Sequence, residues 1–155
     1  MSRTSREETV NGFTDEYYFL SNMYPCAVTY HGHEFKCSEA AFQVSKHEDW
    51  ENDEYLINKF ALLNGYEAKA AGKKVALRAD WERVKDSIME EVVEAKFSDD
   101  ILSYYLKLTE GVNLIEYNRW GDSYWGVVIG GSGKNRLGKI LMKLRCKKLR
   151  EQEDN

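Results

Sequence analysis

The strongest hydrophobic rhythm in the chain lies between residues 80 and 97, where Trp81, Val84, Ile88, Val92 and Ala95 recur at spacings of three and four. That is one stripe of an amphipathic helix, with Asp80 placed to cap it. A second stripe, Leu137, Ile140, Leu141, Leu144 and Leu149, predicts a final helix over about 135–150. Shorter helices are predicted over 53–63, with Tyr55, Leu56, Phe60 and Leu63 inward, over 65–71, and over 99–109 as far as Gly111. Ser38 is a good N-cap residue and predicts a helix from about Glu39 that runs through Lys46. Residues 27–35 predict two short strands about a turn at Gly32, and 112–117 and 124–129 predict further strands. The fold class is therefore α+β, predominantly helical. With no repeat, low-complexity tract or Pro/Gly/Ser linker, one domain is expected over 13–150, after a loose polar arm at 1–12 and before a polar tail at 151–155.

Composition narrows the class without naming a function. The chain has 155 residues, 43% apolar and 13% aromatic, which suits a globular domain with a core and excludes a disordered chain. No apolar run approaches the roughly 20 residues that a membrane helix needs. Residues 1–8 lack the apolar stretch of a secretory signal, so a cytoplasmic location with no membrane partner is expected. Cys26, Cys37 and Cys146 are odd in number and form no CxxC, which favours reduced thiols over a disulfide framework or a zinc knuckle. The net charge of −4 hides an asymmetry: eight basic residues and no acidic one lie between Lys134 and Arg150, while the rest carries 14 Lys or Arg against 26 Asp or Glu. Such a segment is either a phosphate-facing surface or, as the plainer reading, a solvated helix face.

Glu39, Phe42, Gln43 and Lys46 stand at i, i+3, i+4 and i+7, so on a helix they share a face. An acid, an amide and an amine beside an aromatic ring is an unusual mixture for a core stripe. Glu39 falls in the first helical turn, where the positive end of the helix dipole favours carboxylate while burial favours the acid. A carboxyl between those influences can give and take protons. Spacing alone is served better by a carboxylate that merely decorates a helix start, and Lys46 alone by a solvated lysine.

Further along, Asn118, Arg119, Trp120, Gly121, Asp122, Ser123, Tyr124, Trp125 and Gly126 pack an amide, an acid and two tryptophans into nine residues. Aromatic faces suit stacking on a base, and Asp122 suits a second carboxylate or a ribose-hydroxyl acceptor. Two core tryptophans anchoring a turn explain the segment equally well. Gly130-Gly131-Ser132-Gly133 precedes a helix and offers backbone N–H groups to a phosphate. It is not a P-loop, because Val128 and Asn135 stand where that motif needs Gly and Ser or Thr. His31 and His33 alternate along a strand and raise the question of a metal, without a third ligand cluster to complete it.

Taken together these segments resemble the NADAR family, over about Phe19 to Arg145. The first block is Phe19 to Pro25, then Gly32, Ser38-Glu39, Phe42-Gln43 and Lys46. The second is Ala68-Lys69, Gly72, Val75, Leu77-Arg78, Asp80-Trp81, Val84-Lys85, Met89 and Lys96-Phe97. The third is Asn118, Trp120, Asp122, Tyr124 to Gly126, Gly133 to Gly138, and Leu141-Met142 to Arg145. Ala40 stands where many members have His, and Met23 where many have Phe.

The resemblance implies an N-glycosidase that cleaves a glycosylamine bond to a phosphorylated ribose, either removing ADP-ribose from guanine in DNA or RNA or hydrolysing pyrimidine ribose-phosphate intermediates of riboflavin synthesis. It implies that Glu39 is the essential glutamate and that Asp122, Trp81 and Trp125 are further site positions. On that basis Glu39 and Asp122 are expected catalytic residues, and Lys46 joins them because a lysine on the same helical face can exchange with a ring-opened glycosylamine to form a Schiff base. Trp81 and Trp125 are expected against base or ribose, and Asn22 with Asp122 against ribose hydroxyls. Arg78, Lys134 and Asn135 are expected on phosphate, and Asn118 completes the substrate-binding set. The scheme needs neither metal nor organic cofactor. A module that only binds ADP-ribose or nucleotides is the competing reading, and it would need neither Glu39 nor Lys46.

Overall fold

The computed structural model describes residues 9–154, which fall into two units, Asn22–Asp99 and the pairing of the segments before and after it. Helix predominates in both, as the hydrophobic periodicity predicts.

In the Asn22–Asp99 unit a hairpin of β1 (Val28–Tyr30) and β2 (His33–Phe35) comes first. Its turn has positive φ at both His31 (49°) and Gly32 (81°), the backbone that matches strand twist in a two-residue hairpin. His31 therefore sits in the turn rather than alternating with His33 along one strand, and its Nδ1 lies 2.8 Å from Glu51. Helix α1 (Ser38–Val44) follows, with every residue buried. Ala40 and Ala41 are small and fully buried, which lets α2 (Glu54–Phe60), α3 (Gly65–Gly72) and α4 (Trp81–Lys96) all pack on α1. Asn64 and Glu67 form a reciprocal capping box at the start of α3.

Several local expectations change. Cys37, not Ser38, is the N-cap of α1, because the Ser38 hydroxyl is drawn to Asn22. Helix α1 ends at Val44, so Lys46 lies in the turn beyond it, its N–H bonded to the Gln43 carbonyl at 3.2 Å. Tyr55 is 73% exposed, and Phe60 alone of the expected α2 side is buried. Asp80 takes the N-cap position of α4 but spends its carboxylate on Arg78. The α4 stripe is wider than predicted, for Met89, Val93 and Lys96 join it. Burial pushes the Lys96 amine down to about 8. Its ammonium lies 5.7 Å from the Tyr24 ring and 5.1 Å from that of Phe97.

In the other unit β3 (Thr9–Asn11) pairs in parallel with β4 (Asn113–Ile115). Residues 9–11, expected in the loose arm, thus form a strand, because Val10 is buried. Residues 1–8 of that arm lie outside the described residues. Helix α5 (Asp100–Leu108) and α6 (Arg136–Glu153) pack on each other, and α6 also packs on β4. Short strands β5 (Tyr117–Asn118) and β6 (Val127–Val128) pair in parallel. Leu137, Ile140, Leu141 and Leu144 are buried as predicted, and α6 runs on through residues 151–153, expected as tail. Among the described residues no helix is long and apolar enough to cross a membrane.

Candidate active site

A helix buried on all sides must satisfy any polar side chain it carries, since a buried polar group without a partner costs about 1–3 kcal/mol. Helix α1 carries three, Ser38, Glu39 and Gln43. The Gln43 amide donates from Nε2 to Glu39 Oε2 at 2.6 Å, the i, i+4 contact that helix geometry allows. Its own Oε1 accepts no hydrogen bond from any described residue. A Cβ at position 72 would collide with that oxygen, so Gly72 in α3 is what gives the Gln43 amide its room.

Asn22 sets where the start of α1 sits. Its backbone carbonyl accepts from the Glu39 N–H at 3.0 Å, its Oδ1 accepts from the Ser38 hydroxyl at 2.8 Å, and its Nδ2 lies 3.5 Å from the Met89 sulfur. The side chain is 7% exposed and turned into the protein, so the structure gives it the work of fixing Glu39 rather than the expected ribose contact.

Lys46, although past the helix end, stays with the cluster. Its ammonium lies 5.9 Å from the Trp81 ring, which in turn packs on Phe42 with centroids 5.1 Å apart. The Arg78 N–H holds the Lys46 carbonyl at 2.8 Å. Burial lowers the Lys46 pKa below that of an ordinary lysine; the Glu39 charge opposes this, and Lys69 and Lys73 add to it. A depressed lysine is a better nucleophile near neutrality than a solvated one. The Arg78 guanidinium, expected on phosphate, is instead forked onto Asp80 at 2.6 and 3.1 Å. That pairing raises the Arg78 pKa and lowers that of Asp80.

The second group of expected residues lies in the other unit, and there the side chains serve the backbone. Asn118, 1% exposed, donates to the Asp122 carbonyl at 2.8 Å and accepts from the Asp122 N–H at 3.0 Å. Asp122 Oδ1 accepts from the N–H groups of Tyr124 and Trp125 at 3.0 and 2.9 Å, the geometry of an Asx turn. Asn135 has left-handed backbone (φ 50°), donates to the Leu114 carbonyl at 2.9 Å and accepts from the Glu116 N–H at 3.0 Å. Asn118 and Asn135 thus hold this loop together, and Oδ1 of Asp122 is engaged in its turn.

Around the expected phosphate cradle, several backbone N–H groups are bonded within the chain, those of Gly131, Lys134 and Asn135 among them. The N–H groups of Arg136 and Leu137, at the start of α6, donate to the carbonyls of Tyr124 and Trp125 at 3.1 and 3.0 Å. Gly131 N–H closes a turn on Val128 at 2.9 Å, and a Cβ at Gly133 would strike the Gly126 carbonyl. Close packing of chain on chain explains Gly133, and a positive φ of 79° explains Gly130. Trp125 is half-buried and meets the Tyr124 ring edge-on, and Lys134 is exposed with its ammonium 5.4 Å from that same ring. Of the expected residues, Glu39, Lys46 and Trp81 form one cluster held by Asn22 and Arg78, whereas Asn118, Asp122 and Asn135 build a loop. Gln43, given no role by sequence reasoning, is a direct side-chain partner of Glu39. Its signal was the four-residue spacing to an acid on a face with no solvent.

A helical α+β chain that buries a carboxylate against an amide, with a lysine amine over an indole nearby, has the makings of an acid–base or imine-forming site. A model described as the NADAR domain matches residues 8–150. The chain belongs to the NADAR family. It is 32% identical over 145 residues to the N-glycosidase YbiA of Escherichia coli strain K12, covering 90% of this chain and 88% of that one. It is 30% identical over 128 residues to the riboflavin biosynthesis protein VVA0006 of Vibrio vulnificus strain YJ016, covering 82% of this chain but 34% of that longer protein. Its fold matches the NMR structure of the E. coli protein YbiA with a TM-score of 0.83 and 29% identity, over 98% of this chain and 91% of the other.

Proposed function

We propose that this protein is an N-glycosidase acting on a glycosylamine bond to phosphorylated ribose, and that its substrate is ADP-ribose linked to guanine in nucleic acid. The observation that carries the proposal is the Glu39 carboxylate, buried in the first turn of α1 with the Gln43 amide on one oxygen at 2.6 Å. The relatives named N-glycosidase support the bond type, and the eight basic residues at 134–150, with no acidic residue among them, favour a substrate rich in phosphate.

The bond from the ribose C1 to nitrogen breaks when the departing nitrogen, or the ring oxygen, is protonated and positive charge builds at C1. Glu39 supplies that proton as the acid; as carboxylate it then takes one from water, whose oxygen bonds to C1. Gln43 holds one carboxyl oxygen and so fixes the carboxyl group in place. Lys46 offers a second route. Ring opening turns the glycosylamine into an imine; the neutral Lys46 amine adds to C1, the guanine amine departs with a proton, and water hydrolyses the lysine imine to free the sugar.

The test is incubation with an oligonucleotide carrying ADP-ribosylated guanine, read by mass spectrometry, with borohydride added in a parallel sample. Release of ADP-ribose with restoration of guanine is the expected result, and no release overturns the substrate. A lysine adduct on the peptide holding Lys46 is expected in the borohydride sample. Its absence, with an active Lys46→Ala variant, removes the imine route. The name of the Vibrio relative favours a second reading, hydrolysis of the pyrimidine-amine ribose phosphates of riboflavin synthesis, and the same assay with those compounds decides it. Calorimetry that finds ADP-ribose bound, with no product from either substrate, would leave a binding module.

A further inference from the structure

Both substrates considered above carry a phosphate on the ribose, and the Arg78 guanidinium expected to meet it is forked onto Asp80. Other cations of the Asn22–Asp99 unit are engaged as well. Arg83 lies 3.5 Å from the same Asp80 carboxylate, Lys85 lies 2.6 Å from Glu82, and Lys96 is buried among aromatic rings. Lys69 and Lys73 on α3 stand apart, because their charges reach Lys46 and both push its pKa down. They therefore lie close to the amine that stands beside Trp81.

The packing of α3 sets their place. Ala68 is fully buried, and a Cβ at Gly72 would strike the Gln43 amide, so positions 68 and 72 belong to the face that meets α1. Lys69 and Lys73 each follow one of these residues, about 100° further round the helix, and so flank that contact on one side. Lys69 is in the last turn of α3 and Lys73 is its C-cap with helical backbone, one turn and about 6 Å further along. Lys69 is half-buried and Lys73 exposed, so solvent reaches the pair. Cations at a helix C-terminus are favoured by the dipole, which is the plain reason for their presence. The dipole would be served as well on the outward side of the same turn, where Ala70 is exposed. Set beside Lys46 instead, the two lysines repel it, a cost that an anion bound among the amines reverses. Neither amine need lack a partner for this, since an ammonium carries three donors and can keep a neighbour while it meets a phosphate.

We infer that Lys69 and Lys73 hold the phosphate on the 5′ carbon of the ribose whose C1–N bond is cleaved at Glu39. That phosphate is common to ADP-ribose, where it is the near half of the pyrophosphate, and to the pyrimidine ribose phosphates. Gln43 bonds the Glu39 carboxyl and also packs on Gly72, so the carboxyl and the two lysines are carried by one contact of α1 with α3. A ribose held there by its phosphate presents C1 to the carboxyl. Lysine suits this work, being a compact charge with rotatable donors on a flexible stem. The inference rests on the reading of the protein as an N-glycosidase of phosphorylated ribose, but its test reads binding of the released sugars and so fails separately.

The test is calorimetric titration with ribose 5-phosphate, ADP-ribose, ribose and inorganic phosphate. Wild-type protein should bind one of the two sugar phosphates at least about tenfold more tightly than ribose or inorganic phosphate, and the tighter of the two names the source of the phosphate. A hydrogen bond to a charged group is worth about tenfold or more in affinity. Lys69→Gln with Lys73→Gln should therefore weaken that sugar phosphate about a hundredfold and remove its advantage over ribose. A control of equal charge, Lys36→Gln with Lys59→Gln at exposed positions of the same unit, should bind as wild type does. A double Lys69, Lys73 variant with wild-type affinity overturns the proposal, as does a control that loses as much or a wild type that binds ribose as well as its phosphate. Lys73→Gln alone, at an exposed position, serves if the double variant fails to fold: a loss of about tenfold is expected, and none overturns the proposal. Protein that binds ribose 5-phosphate through these lysines but cleaves neither glycosylamine sinks the N-glycosidase reading and leaves the phosphate site standing. Turnover of a phosphorylated substrate with KM unchanged in the double variant does the reverse.

Discussion

Between Ser38 and Val44 the Gln43 amide bonds the Glu39 carboxylate and the Ser38 hydroxyl reaches both the side chain and the carbonyl of Asn22, whereas between Asn113 and Asn135 the buried asparagines bond the main chain. Glu39 meets Gln43, and Ser38 meets Asn22, in pairs that leave an oxygen of Gln43 over. Asn118, Asp122 and Asn135 bond the backbone of residues 114, 116, 122, 124 and 125. Both stretches read as polar, motif-like sequence. The first puts polar groups where the surrounding core is mostly apolar, so each must find its partner in a neighbouring side chain or carbonyl. The second needs its side chains to shape a loop that has little regular structure to satisfy it. A polar side chain that serves no backbone is the better candidate for chemistry.

Exchanging Glu39 breaks the comparison most sharply. Glu39→Ala should lower kcat/KM by about 10²–10⁴, the usual worth of a general acid–base group, while circular dichroism stays near wild type and stability falls by only about 1–3 kcal/mol for the Gln43 amide left without its partner. Asn135→Ala should behave in the opposite way. It removes both bonds to the 114–116 strand and strains a left-handed residue, so it should cost about 2–3 kcal/mol in denaturant melts, with turnover per folded molecule retained. Gly72→Ala sharpens the reading of Gln43. Its methyl must displace the Gln43 amide, so turnover should fall about tenfold and Gln43→Ala should fall alike. The two together should cost no more than either alone, since they remove one arrangement.

The smallest expected effect is a change in the shape of a pH profile. The folded Lys46 pKa is lowered, so the neutral amine accumulates as pH rises toward it from the acid side. If the imine route carries flux, the rate should climb with pH across that range. Lys46→Ala should then flatten the climb.

Much of the fold was legible because period and spacing report burial. The stripes of α4 and α6, the hairpin at Gly32 and the helix following Ser38 all appear where the hydrophobic pattern places them. Boundaries were less legible, since Lys46 lies outside the helix that its i+7 spacing suggested. Lys96 within the α4 stripe was hidden as well, because a charge does not register as core unless its aromatic surroundings are known. Of the candidate site, Glu39 with its neighbours was readable from one helical face. The loop residues were not separable by sequence, for an Asx turn and a ligand contact call on the same Asn and Asp side chains. The Gly-rich stretch is ambiguous for a similar reason: glycine serves a tight turn, as at Gly130, or close chain packing, as at Gly133, as readily as phosphate binding.

The most direct test of Glu39 as the acid–base residue of an N-glycosidase is one mass-spectrometric time course. Wild-type protein and Glu39→Ala are each incubated with an oligonucleotide carrying ADP-ribosylated guanine. The account predicts free ADP-ribose and unmodified guanine from the wild type, and intact substrate from a folded Glu39→Ala. Equal release from both proteins would contradict it.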